Sequence, residues 1–320
     1  MNSFGRIFRV SIFGESHGEQ TGVVLDGVPE GIALSEKDLL KDIARRSPGA
    51  KGTTARSEKD EPRILSGVYD GHTTGAPLTI VFTNENTRPE DYGQFDAVPR
   101  PGHADYVAAV KWDWNNDPRG GGHFSGRLTL PVVAAGAVAK KVLKGIKFSA
   151  ELTELGGSSD KTGWQGLLDA AQADGDSLGG IVECRISGVP IGLGEPFWDS
   201  VESLLSHAVF SIPGVRGIEF GDGFRASAMR GSEHNDPFGP EGPVKNGAGG
   251  VNGGITNGAD IVFRVAFKPT SSIAREQRTW NFETGCEDTL KVGGRHDVCF
   301  ALRTPVIVEA MAAIVLADLV

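Results

Sequence analysis

The sequence has little cysteine and no long apolar run. Its three cysteines, Cys184, Cys286 and Cys299, form no CxxC pair, and their odd number favours a reduced intracellular protein over a disulfide framework. The N-terminus lacks the apolar core of a signal peptide. The apolar stretch at 304–320 is short and carries Glu309 and Asp318, so it predicts a buried helix and no membrane span. We therefore expect a cytoplasmic protein.

An excess of basic charge is also lacking. The chain has 32 Lys and Arg against 41 Asp and Glu, a formal net charge of −9. This balance argues against nucleic acid and anionic membranes as partners. Basic residues nevertheless cluster at Arg45-Arg46 and around Arg127, Arg295 and Arg303. Such clusters on an acidic protein suggest small anionic ligands, although a solvated surface arginine would explain any one of them equally well.

Glycine, in contrast, is abundant: 45 of 320 residues, against an average usage of about 7%. Because no collagen-like period accompanies them, we expect these glycines in turns and at close approaches to ligands. A chain of this length can bury a large core without disulfides or a structural metal.

The chain contains internally similar segments. Residues 22–49 and 180–214 both read as an apolar strand, a Gly-Val-Pro turn, a helix with a Leu-Leu pair and a closing Pro-Gly. Residues 66–82 and 249–267 share their glycine spacing, and residues 126–143 resemble 302–320. The pattern predicts a single domain, 1–320, with two similar halves (about 1–145 and 175–320) joined by a variable segment near 146–174.

Local patterns predict strands at 6–13, 22–26, 78–83, 180–186 and 261–267, and helices at 36–45, 104–114, 131–143, 197–209 and 305–319. The helices at 131–143 and 305–319 are apolar on most faces, so they should be buried. Strands do not alternate regularly with helices. An α+β fold, with sheets covering a helical layer, is therefore favoured over a doubly wound parallel sheet.

Two histidines suit proton transfer near neutral pH. His17 in GESHG and His103 in RPGHAD each have a neighbouring glycine and a carboxylate two residues away, Glu15 and Asp105. Glycine allows a ligand to approach the backbone, and a carboxylate can orient an imidazole. An ordinary surface position is the alternative for any single loop histidine.

Two other chemistries are less favoured. The sequence has no HExxH, CxxC or regular His-x-His spacing, so we predict no metal site. Residues 14–18 match GxSxG, which would make Ser16 the nucleophile of a hydrolase. However, a motif this close to the N-terminus leaves no preceding strands for the sheet on which such a nucleophile stands.

Two loops could bind anions. Residues 119–127, RGGGHFSGR, offer consecutive backbone amides with a serine and two arginines, and match neither a Walker loop nor GxGxxG. Residues 268–272, KPTSS, follow an apolar strand and, with Gly253 and Arg295, suggest a second anion site. Ordinary turn chemistry would explain KPTSS about equally well.

Taken together and in order, the motifs resemble the chorismate synthase family over nearly the whole chain. They are FRVSIFGESHG, GVPEGI, RRSPG, ILSGVYDGHTTGAP, RPGHADY, RGGGHFSGR, GIEFGDGF, AMRGSEHND, GGVNGGITNG, KPTSS and GRHDVC. The resemblance implies a pseudo-symmetric β-α-β sandwich with antiparallel sheets, and a homotetramer.

The resemblance also implies an activity. It is a lyase reaction of the shikimate pathway to aromatic amino acids: the anti-1,4-elimination of phosphate from 5-enolpyruvylshikimate 3-phosphate, giving chorismate. Reduced FMN is required without net redox change, and here a separate flavin reductase should supply it. The family also suggests NADP, although Lys51-Gly52 departs from the basic turn usual there.

Residue roles follow from the resemblance. His17 is implied as the acid toward the departing phosphate, His103 as the proton partner of reduced flavin, and Asp297 as the residue that helps deprotonate flavin N5. Arg46, Arg127 and Arg295 are implied to bind the carboxylates and phosphate of the substrate. The implied FMN-binding residues are His123, Phe124, Ser125, Gly253, Lys268, Pro269, Thr270, Ser271, Ser272 and Arg295.

One departure affects these roles. The family's loop commonly reads GGGRSSARET, whereas residues 120–129 here read GGGHFSGRLT, with His123 and Phe124 in place of arginine and serine. Two other functions stay open at this point: a flavin-dependent reductase that exports hydride, and a non-enzymatic flavin- or anion-binding module.

Overall fold

The computed structural model describes residues 2–54, 58–86, 92–240, 242–294 and 296–320. The helices are α1 (Glu36–Arg46), α2 (Asp105–Lys111), α3 (Thr129–Val142), α4 (Trp164–Ala173), α5 (Val201–Val209), α6 (Gly231–His234) and α7 (Pro305–Ala317). The strands are β1 (Ser3–Phe4), β2 (Arg9–Gly14), β3 (Gln20–Asp26), β4 (Arg63–Ser66), β5 (Val68–Tyr69), β6 (His72–Thr73), β7 (Leu78–Thr83), β8 (Lys147–Leu155), β9 (Gly180–Ser187), β10 (Val215–Phe220), β11 (Phe238–Gly239), β12 (Gly242–Pro243), β13 (Val251–Asn252), β14 (Ile255–Thr256), β15 (Ile261–Phe267), β16 (Gln277–Asn281) and β17 (Cys286–Leu290).

Two antiparallel sheets carry the architecture. The first has the order β1-β2-β3-β7-β4 and the second β10-β15-β9-β8. Read from β2 and from β8, the orders correspond: β2-β3-β7-β4 in the first and β8-β9-β15-β10 in the second. Segments that are similar in sequence thus occupy equivalent places in the two sheets. The predicted α+β class, with pseudo-symmetric antiparallel sheets around helices, is confirmed.

The central helical layer is formed by α3 and α7. Both helices are apolar on nearly every face and buried along most of their length. Helix α3 packs on β3 and β7 of the first sheet, and α7 packs on β8 and β9 of the second. The two helices also pack directly on each other. Apolar residues all round a helix are what burial between two sheets requires.

Gly136 sets how closely α3 and α7 approach. A Cβ atom at this position would lie 2.3 Å from Cβ of Ala310 and 2.4 Å from its Cα. We therefore expect Gly136→Ala to destabilise the protein by about 1–3 kcal/mol, the usual cost of overpacking a core. Gly166→Ala in α4 is the matched control: no atom lies within 4 Å of its Cβ position, and alanine should stabilise that helix by up to about 1 kcal/mol. Urea unfolding measures both, and equal effects would contradict the close approach.

Several regions depart from the sequence-based expectation, and strands β4, β10, β16 and β17 are among the elements that were not predicted. The helix predicted at 104–114 ends at Lys111, because Asp113 and Trp114 adopt positive φ angles of 50° and 59°. The helix predicted at 197–209 begins only at Val201, where the Ser200 hydroxyl caps Ser203 N. Strand β8 and helix α4 were not predicted and lie in the variable segment 146–174. The boundaries of the two halves stay a prediction.

Corresponding ends of the two halves meet on one side of the molecule, where α3 and α7 begin. Nε of Arg46 donates to Oγ1 of Thr129 at the start of α3 (3.0 Å), and Nε of Arg303, before α7, donates to the Arg46 carbonyl (2.9 Å). The Phe300 ring joins the end of β15, because its centroid lies 6.4 Å from that of Phe267. This side of the fold carries the candidate site.

Candidate active site

A loop of three consecutive glycines forms the floor of the candidate site. Gly120, Gly121 and Gly122 have φ angles of 63°, 80° and 52°, a left-handed conformation that other residues adopt only with strain. A Cβ at Gly122 would lie 2.0 Å from the Asp117 carbonyl oxygen. The Gly122 carbonyl accepts a hydrogen bond from Ser16 N at 3.1 Å. The glycine-rich loop therefore packs directly on the GESHG loop.

His17 and His103 meet this floor at neighbouring positions. A Cβ at Gly120 would lie 2.2 Å from Nδ1 of His17, and a Cβ at Gly121 would lie 3.3 Å from Nε2 of His103. Consecutive Cα atoms are about 3.8 Å apart, so the two imidazoles converge on one short stretch of backbone. The structure thus brings together the two histidines that the sequence predicted to move protons.

The surroundings of His17 hold its ring in place. The residue is 7% exposed, its Nδ1 lies 3.3 Å from Oγ of Ser16, and its ring meets that of Tyr92 edge-on at 5.0 Å. The GESHG loop is fixed by Asn84, whose Nδ2 donates to the carbonyls of Glu15 and Gly18 at 3.2 and 2.8 Å. A buried imidazole on a braced loop suits directed proton transfer.

His103 lies against a carboxylate and an arginine. Its Nδ1 is 2.5 Å from Oδ1 of Asp105, which also pairs with Arg100. Burial lowers the pKa of His103, the hydrogen bond to Asp105 opposes this, and the charge of Arg100 lowers it further, so that the net pKa lies below its ordinary value. Burial alone would raise the pKa of Asp105, but hydrogen bonds from Arg100 and His103 outweigh it and hold that pKa well below its usual range.

Arg46 and Arg127 share one buried carboxylate, Asp60. Nη1 of Arg46 lies 3.3 Å from Oδ2 of Asp60, and Nη1 of Arg127 contacts Oδ1. Nε of Arg127 donates to Oδ1 of Asn84 at 2.9 Å, the same side chain that holds the GESHG loop. The two predicted substrate-binding arginines therefore lie together, and the Asn84 side chain links Arg127 to the His17 loop.

Asp297 belongs to the same cluster through Arg303. Its carboxylate accepts from Nη1 of Arg303 at 3.2 Å and from Thr54 N at 2.8 Å. Arg303 in turn bonds the Arg46 backbone. Asp297 is thus linked to the arginine cluster through Arg303.

The cluster carries more positive than negative charge. Arg46, Arg127 and Arg303 face Asp60 and Asp297, and Nη2 of Arg127 is buried with no hydrogen-bond partner among the residues the structure describes. Burial, then the charge of Arg303, lower the pKa of Arg46 to about 9, so it remains cationic at neutral pH. The N-terminal ends of α3 and α7 add partial positive charge. Such an arrangement favours an anion.

The KPTSS segment closes the His103 side of the site. Nζ of Lys268 donates to the Gly102 carbonyl and to Oγ of Ser271, each at 2.5 Å, and Ser272 accepts from Nη1 of Arg100 at 2.9 Å. Burial lowers the pKa of Lys268, and the charge of Arg216 adds to this. The intervening Pro269 and Thr270 pack on the start of β9: Pro269 Cδ would lie 3.3 Å from a Cβ at Gly179, and the Thr270 carbonyl accepts from Ser177.

The two residues that depart from the family loop have partners of their own. Nδ1 of His123 donates to the Gly14 carbonyl at 2.9 Å, which ties the loop to the end of β2. The Phe124 ring, 39% exposed, packs on Trp112 with centroids 5.7 Å apart. Oγ of Ser125 accepts from Arg127 N at 3.3 Å and caps the turn that positions this arginine.

One predicted cofactor residue, Gly253, lies away from this site. Gly253 lies in the β13–β14 turn, where the Gly254 carbonyl accepts from Val201 N at 2.9 Å. That turn is at the opposite end of β15 from Lys268, a strand length of roughly 23 Å at 3.3 Å per residue. Arg295 lies outside the described residues. Both assignments stay predictions.

Sequence reasoning missed the residues that hold the site together: Asp60, Asn84 and Arg100. Asp60 is 5% exposed although it stands in the charged run EKDE, which is typical of solvated surface. Arg100 precedes the PGHAD motif and could have been found from its position beside His103 and Asp105.

Within the described ranges, no three His, Cys, Asp or Glu side chains are grouped so that they could hold a metal ion. In the same ranges, no helix has the length and apolar character needed to cross a bilayer.

Comparison with known proteins decides the family. The model of the chorismate synthase family matches residues 8–320. The chain belongs to this family of enzymes. A chorismate synthase of Chitinophaga pinensis is 59% identical over 321 residues, which cover 99% of this chain and 96% of that relative. One from Korarchaeum cryptofilum is 45% identical, covering 98% of this chain and 96% of the relative.

A solved structure agrees with the family assignment. A crystal structure of a chorismate synthase superposes with a TM-score of 0.75 at 26% identity, covering 99% of this chain and 92% of that one. The chain therefore shares both the sequence pattern and the fold of chorismate synthases over almost its full length. The site described above is built from the motifs through which the family was recognised.

Proposed function

We propose that this protein is a lyase that eliminates phosphate from 5-enolpyruvylshikimate 3-phosphate in the anti-1,4 sense to give chorismate, with reduced FMN as cofactor. The observation that carries the proposal is the position of His17 and His103 on consecutive glycines, beside a buried arginine cluster with excess positive charge. This combination offers proton transfer next to an anion-binding region.

The arginine cluster supports an anionic substrate. The substrate carries a phosphate and two carboxylates, for which the forked donors of arginine are suited. Arg127 has a buried Nη2 that no described residue satisfies, and leaving such a donor unpaired is costly. A substrate oxygen at this atom would remove that cost. Arg46, which shares Asp60 with Arg127, would assist in binding.

The glycines at 120–122 pack tightly on His17, His103 and the Asp117 carbonyl, and the KPTSS segment adds the Lys268 ammonium and the hydroxyls of Ser271 and Ser272 as groups for a phosphate. FMN would be held by 123–125 and by Lys268 to Ser272. The family resemblance implies Gly253 and Arg295 as further FMN-binding residues, although Gly253 lies a strand length from Lys268 in this chain. When bound in reduced form, FMN supplies electron density transiently, which helps the phosphate to leave.

The protein's own part is to position groups and to handle protons. His17 is proposed to donate a proton to the departing phosphate, His103 to exchange a proton with the cofactor, and Asp297 to accept one. His17 is braced by the Asn84-held loop, and Asp297 is held by Arg303 and Thr54. Family membership further supports a homotetramer, a cytoplasmic location, a separate flavin reductase and an association with NADP.

Phosphate release under anaerobic conditions tests this function. With dithionite-reduced FMN and the enolpyruvyl substrate, we expect chorismate and phosphate to form in equal amounts while the absorbance of the flavin returns to the reduced state. Oxidised FMN should give no product. Oxidation of one flavin per product would instead identify a hydride-exporting reductase, and flavin binding without phosphate release would leave only a binding module.

A further inference from the structure

The contact between His103 and Asp105 determines which nitrogen of the imidazole carries hydrogen. Nδ1 of His103 and Oδ1 of Asp105 are 2.5 Å apart. Two acceptor atoms would repel each other at this distance, so one of them must carry a proton. Asp105 also accepts from Nε and Nη2 of Arg100, both at 2.8 Å, and is therefore an ionised carboxylate. The proton lies on Nδ1.

We infer that Asp105 and Arg100 are positioning residues that hold His103 as the Nδ1–H tautomer, with Nε2 presented to the glycine floor. Nε2 and Cε1 are the ring atoms on that side, because a Cβ at Gly121 would lie 3.3 Å from each of them. Nη2 of Arg100 is 3.2 Å from Nδ1 of His103. Because Nδ1 carries the hydrogen that it donates to Asp105, it has no lone pair with which to accept a hydrogen bond from Arg100.

Arg100 is itself held in place while it holds the Asp105 carboxylate against His103. Besides Nε and Nη2, its backbone N donates to Oδ2 of Asp105 at 3.1 Å, and its Nη1 donates to Oγ of Ser272 at 2.9 Å. Its guanidinium also lies over the Phe95 ring, 4.4 Å from the centroid. Arg100 is 5% exposed, so the carboxylate is held by a fixed partner and cannot rotate away from His103.

The charges facing His103 favour a neutral ring. Asp105 on α2 favours the imidazolium, whereas Arg100 and Lys268 of the KPTSS segment oppose it. His296 lies close enough that the two histidines affect each other's titration. Burial acts in the same sense as the cations. At neutral pH the ring is thus uncharged, and Nε2 has a lone pair that can accept a proton.

This inference deepens the proposed function without depending on it for its test. The role in turnover rests on the proposed function, because it makes His103 an acceptor of the proton it exchanges with the cofactor. The tautomer itself is a property of the free protein. It can be measured without flavin or substrate.

Nitrogen NMR of protein labelled with 15N-histidine reads the tautomer directly. We expect His103 at pH 7 to show Nδ1 with the chemical shift of a protonated nitrogen and Nε2 with that of an unprotonated one. His103→Gln identifies its signals by their loss. An unprotonated Nδ1, or an imidazolium at pH 7, would overturn the inference.

Two variants should shift the pKa of His103 in opposite directions. Asp105→Asn removes the carboxylate, so we expect the Nε2–H tautomer to appear and the pKa of His103 to fall by about one pH unit or more. Arg100→Gln removes the cation and leaves Asp105 in place, so the pKa should rise. A merely structural role would not give opposite signs.

Controls separate this result from general damage. Asp96→Asn removes a nearby carboxylate whose pKa is raised by burial and by Asp105, and the His103 signals should stay near those of the wild type. Asp105→Glu should restore the Nδ1–H tautomer. If Arg100→Gln fails to fold, Ser272→Ala tests the brace, with a smaller rise in pKa expected. If Asp105→Asn keeps the wild-type tautomer of His103, the inference is wrong, even if the protein makes chorismate. If the NMR result is as expected but no chorismate forms, only the proposed function is wrong.

Discussion

Replacing His17 with alanine is expected to lower kcat for chorismate formation by roughly 10²–10⁴-fold, the usual contribution of a positioned general acid. The imidazole is buried against the glycine floor and braced by Ser16 and Tyr92. The measurement is phosphate release at saturating substrate with pre-reduced FMN.

His72→Ala is the matched control for this variant. His72 lies in the β5–β6 hairpin and is exposed, and among the described residues its side chain hydrogen-bonds the Asp70 carbonyl through Nδ1. Its removal should leave kcat within about twofold of wild type, because an exposed side chain away from the site contributes little. If His17→Ala folds normally and retains more than about a tenth of wild-type kcat, His17 is not the acid.

Much of the regular structure could be predicted from local signals. The strands predicted at 78–83 and 261–267 coincide with β7 and β15, because runs of β-branched and aromatic residues stand between clear turn signals. Ser35 and Asp38 form the capping box that starts α1, and Pro305 starts α7 at N1. In such places local preference and tertiary packing agree.

Strand β8 could not be predicted in the same way. Its sequence, KFSAELTEL, carries Lys and Glu on a half-exposed face, so its burial pattern contains few buried positions. What makes it a strand is pairing with β9, from Lys147 opposite Ser187 to Leu155 opposite Gly180. Pairing between distant segments is a tertiary effect that composition does not report.

The candidate site was predictable in its motifs and not in its connections. Gly102 beside His103 has a φ angle of 69°, so glycine correctly indicated special backbone geometry there, whereas Gly18 beside His17 has no positive φ angle. Asp60, however, bonds Arg127 across 67 positions of sequence, and no spacing rule relates them. Charged residues in a polar run look the same whether they are solvated or paired, because the difference arises only when the chain folds.

A second long-range network holds a charge inside the helical layer. Glu309 in α7, 2% exposed, accepts from Nη1 and Nη2 of Arg45 in α1 at 2.7 and 2.6 Å and from Nζ of Lys140 in α3 at 2.8 Å. It also accepts from Ala150 N of β8 at 2.9 Å. In the sequence Glu309 served only to exclude a membrane helix, but in the fold it joins three helices and a strand.

Glu309→Gln should destabilise the protein by about 3 kcal/mol, near the lower end of the cost of breaking a buried ion pair, because Arg45 retains some solvent contact. The amide leaves Arg45 and Lys140 with Asp42 as their remaining carboxylate in this network. Urea unfolding at pH 7 measures the change. Glu151→Gln is the control: Glu151 pairs with Lys161 on the surface, with side chains 66% and 55% exposed, and should cost less than about 1 kcal/mol.

The pH dependence of the free energy of unfolding, compared between wild type and Glu309→Gln, shows whether the loss of charge causes the destabilisation. Burial alone would raise the pKa of Glu309, but the hydrogen bonds from Arg45 and the charge and hydrogen bond of Lys140 outweigh it, so its pKa in the folded state lies below the ordinary value of about 4.3. A lowered folded pKa contributes stability above the unfolded pKa and loses it as the pH falls through the folded one. The difference between wild type and Glu309→Gln should therefore be constant from pH 6 to 8, by this linkage, and shrink below about pH 4. A difference that is independent of pH down to acid unfolding would mean that the variant disturbs packing and not charge.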